Sequence, residues 1–474
     1  MRIGNRYEGH LLGRIAGRAV TRARPLVVGA AITALVVLVG AITGWLTWRR
    51  ASAVARLPAP PLAASITPAV SDHVGAAFAA AERDPRSIAA VAPLCLAYHA
   101  DMLFDEAGRC YDVIVDLDPR TWRWHYLRAL LDAERGGSPE LAGRLRRVVE
   151  LAPDFGPAWL RLGDAEFKAS RYDAAAEAWR RARDRPDPPV PSETPAHRVE
   201  VPLRAFALLG LARVALVKGD AAGAVSLLQP LAAEVPRFSA ALRLLAEGLR
   251  ATGREADAAR AVSLAGRLPP FAPYSDPVMD ALARESRNAT LLLRVASEAD
   301  LAVNLEWSEH LTRRALEFEP DNPEAIAKMA RLHRAAGRNE QALSLFERYH
   351  RMVPGDFQVL AQIATTLSAL GRFEEAEGYF QQALRGVDDA VTHFNLGLLM
   401  ARTGRLDQAV AAYQRALERE PTLSDARSNL ATVFARQGRL DRAAQELQRV
   451  LALDPDNPLA RANLDIVRDM QAGR

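Results

Sequence analysis

Two cysteines, three lysines and an aromatic content of 6% are all that 474 positions supply. Two cysteines exclude a disulfide scaffold, a thiolate metal cage and a Cys-x-x-Cys-His haem attachment site. Also missing are His-Glu-x-x-His, a phosphate-cradling glycine loop, Gly-x-Ser-x-Gly and any carboxylate pair away from a solvated helix face. The nine histidines are scattered and give no plausible metal set. The expectation is therefore a protein that is not an enzyme, with no cofactor and no metal. A general basic charge is absent too. Residues 1–50 carry eight Arg against Glu8, a net +7, which leaves −3 of the total +4 for the remaining 424. That balance excludes a nucleic-acid-binding body. Arginine makes up 58 of the 61 basic residues, so any single arginine is a weak signal.

Long hydrophobic runs are also scarce, with one exception. Leu26 to Trp48 holds 23 residues without a charge, which as a helix would reach roughly 34 Å and cross a bilayer core. Trp45 and Trp48 stand at one end, where amphipathic rings favour the interface. Six arginines (Arg2, Arg6, Arg14, Arg18, Arg22, Arg24) precede the run and three (Arg49, Arg50, Arg56) follow, which keeps the amino terminus cytoplasmic. A cleaved signal with its site at Ala51-Ser52-Ala53 is the alternative; the length of leader and run fit an anchor better. The expectation is a single-pass helix in the inner (plasma) membrane with the rest of the chain extracytoplasmic, in a periplasm where there are two membranes.

What the chain does have is a period. Ala330, Ala364, Gly397 and Ala431 follow at 34, 33 and 34 residues, in step with Gly337, Gly371, Gly404 and Gly438, with Ala342, Ala376, Ala409 and Ala443, and with Phe346, Phe380, Tyr413 and Leu447. Within one unit, Ile326, Met329 and Ala330 share a face of a first helix that ends at Gly337, a left-handed cap. Ala342, Phe346 and Tyr349 line a second helix, which Pro354 stops. Small alanines let the two helices approach while Phe346 fills the space beside them. One pair cannot bury its apolar face alone, so each unit needs a neighbour.

These residues resemble the tetratricopeptide repeat family, and the stretch "FNLGLLMARTGRLDQAVAAYQRALEREP" is similar to its consensus unit. The resemblance implies an all-α, right-handed solenoid with a concave groove that holds peptides or partner proteins. About ten helix pairs are expected. In chain order these give a basic tail 1–25, the membrane helix 26–48, an Ala/Pro-rich spacer with a lead-in helix 49–85 capped at Ser71 or Asp72, and degenerate units 86–186. A proline-rich loop 187–201, units 202–270 and an interruption 271–287, in which Phe271 and Tyr274 pack on the solenoid, come next. Units 288–455 and a capping helix 456–474 complete the chain.

Cys95 and Cys110 fall on the two helices of the first degenerate unit. They are either two buried thiols or, in an oxidising compartment, a disulfide closing a 15-residue step, worth about 3 kcal/mol.

The candidate binding residues form a ladder. Gln362, Asn395, Asn429 and Asn463 repeat at 33, 34 and 34, each one place before a buried leucine or isoleucine. A carboxamide donates and accepts, so it pairs with the main chain of an extended peptide without reading its sequence. In peptide-holding members of the family, asparagines at this place do such work, and they are also its commonest residue there. Lys328, Arg331, Arg402 and Arg436 lie on neighbouring faces and would favour an acidic segment or a C-terminal carboxylate. The expected partners are other proteins or extended peptides, with the membrane engaged by the N-terminal helix. The expected function is a scaffold for envelope assembly, secretion or protein maturation; the alternative is a non-catalytic subunit that positions an enzyme complex such as polysaccharide synthesis or export.

Overall fold

Several first helices of the repeats start on an accepting side chain, and those of the regular pairs stop on a left-handed glycine. Asn322 Oδ1 accepts from the Ala325 amide at 3.0 Å, and Asp389 and Asn457 do the same for Thr392 and Ala460 at 2.9 Å each. Gly337, Gly371, Gly404 and Gly438 end the first helices at φ of 74° to 79°, where a Cβ would be strained.

The structure, a computed structural model, describes residues 33–188, 201–268, 274, 276–301, 304–455 and 457–473. Every regular element among them is helical. A helix over residues 33–54 (α1) is followed by a short 3₁₀ turn, Ala63–Ser65, and by α2 (Pro68–Arg83). Antiparallel pairs then follow: α3 (Ile88–Ala100) with α4 (Phe104–Leu117), α5 (Trp122–Glu134) with α6 (Leu141–Leu151), and α7 (Gly156–Lys168) with α8 (Tyr172–Arg183). Next come α9 (Leu203–Val217) with α10 (Ala221–Glu234) and α11 (Ser239–Ala251) with α12 (Glu255–Gly266). A lone α13 (Pro277–Glu285) separates these from α14 (Ala289–Leu301) with α15 (Leu305–Phe318). The regular pairs are α16 (Pro323–Ala335) with α17 (Asn339–Met352), α18 (Phe357–Ala369) with α19 (Phe373–Gly386), α20 (Ala390–Arg402) with α21 (Leu406–Arg419), and α22 (Ser424–Arg436) with α23 (Leu440–Leu453). Helix α24 (Pro458–Gln471) closes the series. The described helices thus make ten pairs.

The periodic residues are the core. Ala330, Ala342 and Phe346 are buried, as are Ala364, Ala376 and Phe380, then Ala409 and Tyr413, then Ala431, Ala443 and Leu447. Burying each large side chain contributes about 2 kcal/mol.

Contacts divide the chain into two compact units. The first comprises the described residues up to Tyr98 together with Leu103–Trp124. Here the structure corrects two expectations. Segment 49–67 is not a semi-extended spacer, because α1 runs on to residue 54 and the turn after it buries Leu57 and Pro58. Arg50 Nη2 donates to the Glu82 carbonyl at 3.3 Å, the Tyr98 hydroxyl donates to the Pro58 carbonyl at 2.6 Å, and Arg56 pairs with Asp116. The lead-in helix begins after Thr67 with Pro68 at its first position, not at Ser71 or Asp72, and buries Val70, Val74 and Ala81. Proline's fixed φ suits a first turn better than an interior serine. Cys95 and Cys110 are bonded, with Cα atoms 5.2 Å apart.

Among the described residues no helix is long and apolar enough to cross a membrane. The expected span opens at 26–32, and these residues, like the tail 1–25, lie outside the described ones. The described part leaves Leu35, Val36, Val37, Leu38, Ile42, Trp45 and Leu46 exposed.

The second unit comprises His99–Met102 and His125–Arg474. Its helix pairs stack through neighbouring apolar clusters, one for each two or so pairs. Tyr274 packs in the cluster of Trp179 and against the Phe206 ring at 5.6 Å. Phe271 and most of the 187–201 loop lie outside the described residues.

Candidate functional site: the inner face of the last repeats

Which side of the stack is concave follows from the contacts. First helices touch the next first helix, as α14 does α16, α18 does α20 and α20 does α22, whereas second helices approach one another less closely. The first helices therefore line the inner side of the bend. On them Gln362, Asn395, Asn429 and Asn463 are all half-buried, one rung on each of α18, α20, α22 and α24. The buried neighbours Ile363, Leu430 and Leu464 fix that register by holding the adjacent position in the core.

The rungs are not equivalent. Asn429 Nδ2 donates to the Asp425 carbonyl of its own helix at 2.9 Å. The Gln362 Oε1 is buried and has no hydrogen-bond partner, so the carboxamide keeps an unused acceptor. Asn395 and Asn463 make no side-chain hydrogen bond among the described residues.

The cations divide in the same way, and three of them are engaged by the chain itself. Lys328 is buried, pairs with Asp300 and donates to Ser297 Oγ at 3.1 Å, which ties α16 to α14. Arg402 Nη1 donates to the Ser368 carbonyl at 3.2 Å with its guanidinium 5.2 Å from the Phe373 ring centre. Arg436 Nη1 donates to the Ala401 carbonyl at 3.0 Å. Both arginines satisfy carbonyls at the C-terminal end of the preceding first helix, where a cation complements the helix dipole. Arg331 alone of the four is exposed with neither a hydrogen bond nor an ion pair among the described residues. It faces Arg334, whose Nε is buried and unpartnered and whose guanidinium is less basic than usual through burial and then Arg331.

Apolar residues lie uncovered on the same helices; Val391 and Ile466 had escaped the sequence reading, whereas Leu459, with Leu464 and Val467, reads as an inward-facing residue of the closing helix and is instead exposed. Val391 and Leu459 lie one turn before Asn395 and Asn463, and Ile466 lies one turn after, exposed by 57%, 66% and 57%. On α20 and α24 the face thus sets amides beside uncovered aliphatic side chains. The corresponding places on α18 and α22 are polar, Gln358 and Thr365 on the first and Asp425 and Thr432 on the second, so the 33–34 period did not report them. Beside it, an open cleft of about 290 Å³ between α20 and α21 has Leu396, Met400, Ala411 and Ala412 on its walls and His393 and Arg415 at its rim. No group of His, Cys, Asp or Glu able to hold a metal occurs among the described residues.

A stack of short antiparallel helix pairs with a bare inner face defines a repeat protein of the helical-solenoid class. The tetratricopeptide repeat family models match residues 142–191 and 394–458, and a second such model matches 356–421. Over those residues the chain carries tetratricopeptide repeats. Among solved structures it is similar to TTC0263, a thermophilic TPR protein of Thermus thermophilus, at 25% identity with a TM-score of 0.34, covering 38% of this chain and 98% of that one. It is also similar to YrrB, described as a TPR protein with an unusual peptide-binding site, at 22% identity and a TM-score of 0.31, over 39% and 95%. PilW, a type IV pilus biogenesis factor, matches at 20% identity and a TM-score of 0.35, over 39% and 91%. A stretch of 101 residues is 27% identical to the human protein O-mannosyl-transferase TMTC2, covering 20% of this chain and only 12% of that protein.

Proposed function

We propose that the chain is a membrane-tethered, extracytoplasmic scaffold that holds proteins by extended segments laid along α18, α20, α22 and α24. The carrying observation is the register of Gln362, Asn395 and Asn463 with Val391, Leu459 and Ile466 beside them. Amides satisfy a main chain and aliphatic side chains receive alternate residues, which together bind an extended segment with low sequence selectivity. Arg331 and Arg334 at the α16 end favour an acidic residue there. Catalysis has no part in this reading. The tether rests on the exposed apolar residues of α1 and the arginine asymmetry around it, and the oxidising location on the Cys95–Cys110 bond.

The test is capture. In mild detergent, Asn395→Ala with Asn463→Ala should lose most co-purifying protein, at least fivefold by mass spectrometry, while the thermal midpoint moves by less than about 2 °C, as for surface changes. Undiminished capture would remove the inner face from the account, and one stoichiometric enzyme among the captured proteins would favour the subunit reading.

A further inference from the structure

Helix α13 belongs to no pair. Its one sizeable helix contact is with α14, which directly follows it, so it is not stacked as a repeat helix. It is held instead by polar handles from residues far away in sequence. Asp276 caps it, accepting from the Val278 amide at 3.1 Å. The other carboxylate oxygen accepts from the Tyr126 hydroxyl of α5 at 2.7 Å and from Arg161 Nη2 of α7 at 3.0 Å. Arg161 Nε also donates to the Tyr126 oxygen at 2.9 Å and its guanidinium lies 5.3 Å from the Tyr274 ring. At the far end the Arg287 amide donates to Asp101 Oδ1 at 2.7 Å, and Asn288 Nδ2 to the Asp101 carbonyl at 3.3 Å. Val278, Leu282 and Ala283 are buried on the side between these handles.

The first helices α5 and α7 carry the inner face of the earlier repeats, as α18 to α24 carry that of the later ones. One inner face is bare; the other is filled by the chain's own segment. That segment shows what the earlier face accepts: a short helix opened by an aspartate, with the carboxylate on Arg161 and Tyr126 and an apolar side between them. We infer that the earlier inner face is a second docking site, for an acidic, Asp-capped helix of a partner protein, kept closed by residues 276–288 acting as a ligand in cis. A tethered ligand stands at millimolar effective concentration, so a partner of equal intrinsic affinity is shut out until the cis copy is loosened. Arg161 and Tyr126 are then selectivity residues for the aspartate.

The experiment uses the full chain in detergent micelles and a fluorescent peptide of residues 274–288. Asp276→Ala loosens the cis copy and leaves the site intact; Leu282→Ser loosens it through the apolar side instead and serves if Asp276→Ala does not fold. Either variant should bind the peptide at least tenfold more tightly than the native chain does. Adding Arg161→Gln should abolish the gain, as should a peptide carrying Asp276→Asn, while Asn395→Ala with Asn463→Ala should leave it unchanged. That last arm separates this site from the inner face of the last repeats. Equal binding by native and loosened chains, no binding by either loosened chain, or a gain that survives Arg161→Gln would overturn the inference. So would concentration-dependent dimers of the loosened chain that take up no peptide, since the segment would then belong to a second copy.

Discussion

Gly397 and Tyr413 show how tightly the repeat couples its positions. A Cβ on Gly397 would lie 2.6 Å from Tyr413 Cε1, too close for the fixed floor of a core. The neighbouring units carry alanine at that place beside Phe346, Phe380 or Leu447, all buried. Gly397→Ala should therefore destabilise the chain by about 1–3 kcal/mol through overpacking. Combining it with Tyr413→Leu copies the Ala431 and Leu447 arrangement and should recover most of the loss, as measured by urea unfolding; a double variant no better than the single one would disprove the coupling. Trp179 makes the same demand on Gly163 and Gly210, where a Cβ would meet its indole at 2.4 Å and 2.3 Å. Such pairs are legible in the sequence because they sit at a fixed offset within the period. The partners of Lys328, Arg402 and Arg436 are not. Each reaches a group on the preceding unit, and the choice between facing solvent and capping a neighbour's carbonyls depends on how far the stack bends.

Among elements, α13 carries the most unusual chemistry. Asp280 on it is pushed up to about 7, by burial first and then by Asp276 and Glu298 against the opposing pull of Arg284. Burial likewise raises Asp164 and Glu298 nearby. A carboxyl whose folded pKa lies above its unfolded value supports the fold fully below the unfolded value. It loses that support as pH rises through the folded one. The seat of α13 should then be firmer at pH 5 than at pH 8, by an amount of order 2–4 kcal/mol for Asp280. Hydrogen exchange of the α13 amides, corrected for the intrinsic pH dependence, reads this directly. Asp280→Asn should flatten the profile, and equal protection at both pH values would refute the assignment. Existence of a helical stretch at 277–285 was readable from the residues following the prolines. Its seat was not, because the handles Tyr126, Arg161 and Asp101 lie 115 to 187 residues away and no local pattern reports a contact of that range. The pairs themselves were readable, since a helix hairpin of this kind is specified within one period.

For the whole molecule the questions are where it works and how its body is joined to the proposed tether. A proline-rich stretch behind an apolar helix reads as a spacer in sequence because composition reports stiffness and not docking. The buried Leu57 and Pro58, the bond from Arg50 to α2, and those that Tyr98 of α3 and Asp116 of α4 make with Pro58 and Arg56 instead fasten α1 and its following turn to α2 and to the disulfide-bonded pair α3 and α4. A disulfide persists where no thiol buffer reduces it, so the bond and the proposed tether make one joint demand on location. An alkaline phosphatase reporter fused after Arg474, active only outside the cytoplasm, should be active, and the protein isolated from the same cells under denaturing, non-reducing conditions should present no titratable thiol. The two readouts check each other. An inactive reporter with two free thiols would place the repeats in a reducing compartment and remove the extracytoplasmic reading altogether. An active reporter with free thiols would leave the location standing and show Cys95 and Cys110 to be only buried neighbours. In that second case the pair α3 and α4 would lose the roughly 3 kcal/mol that a closed 15-residue loop contributes, and the fastening of α1 would rest on its packing alone.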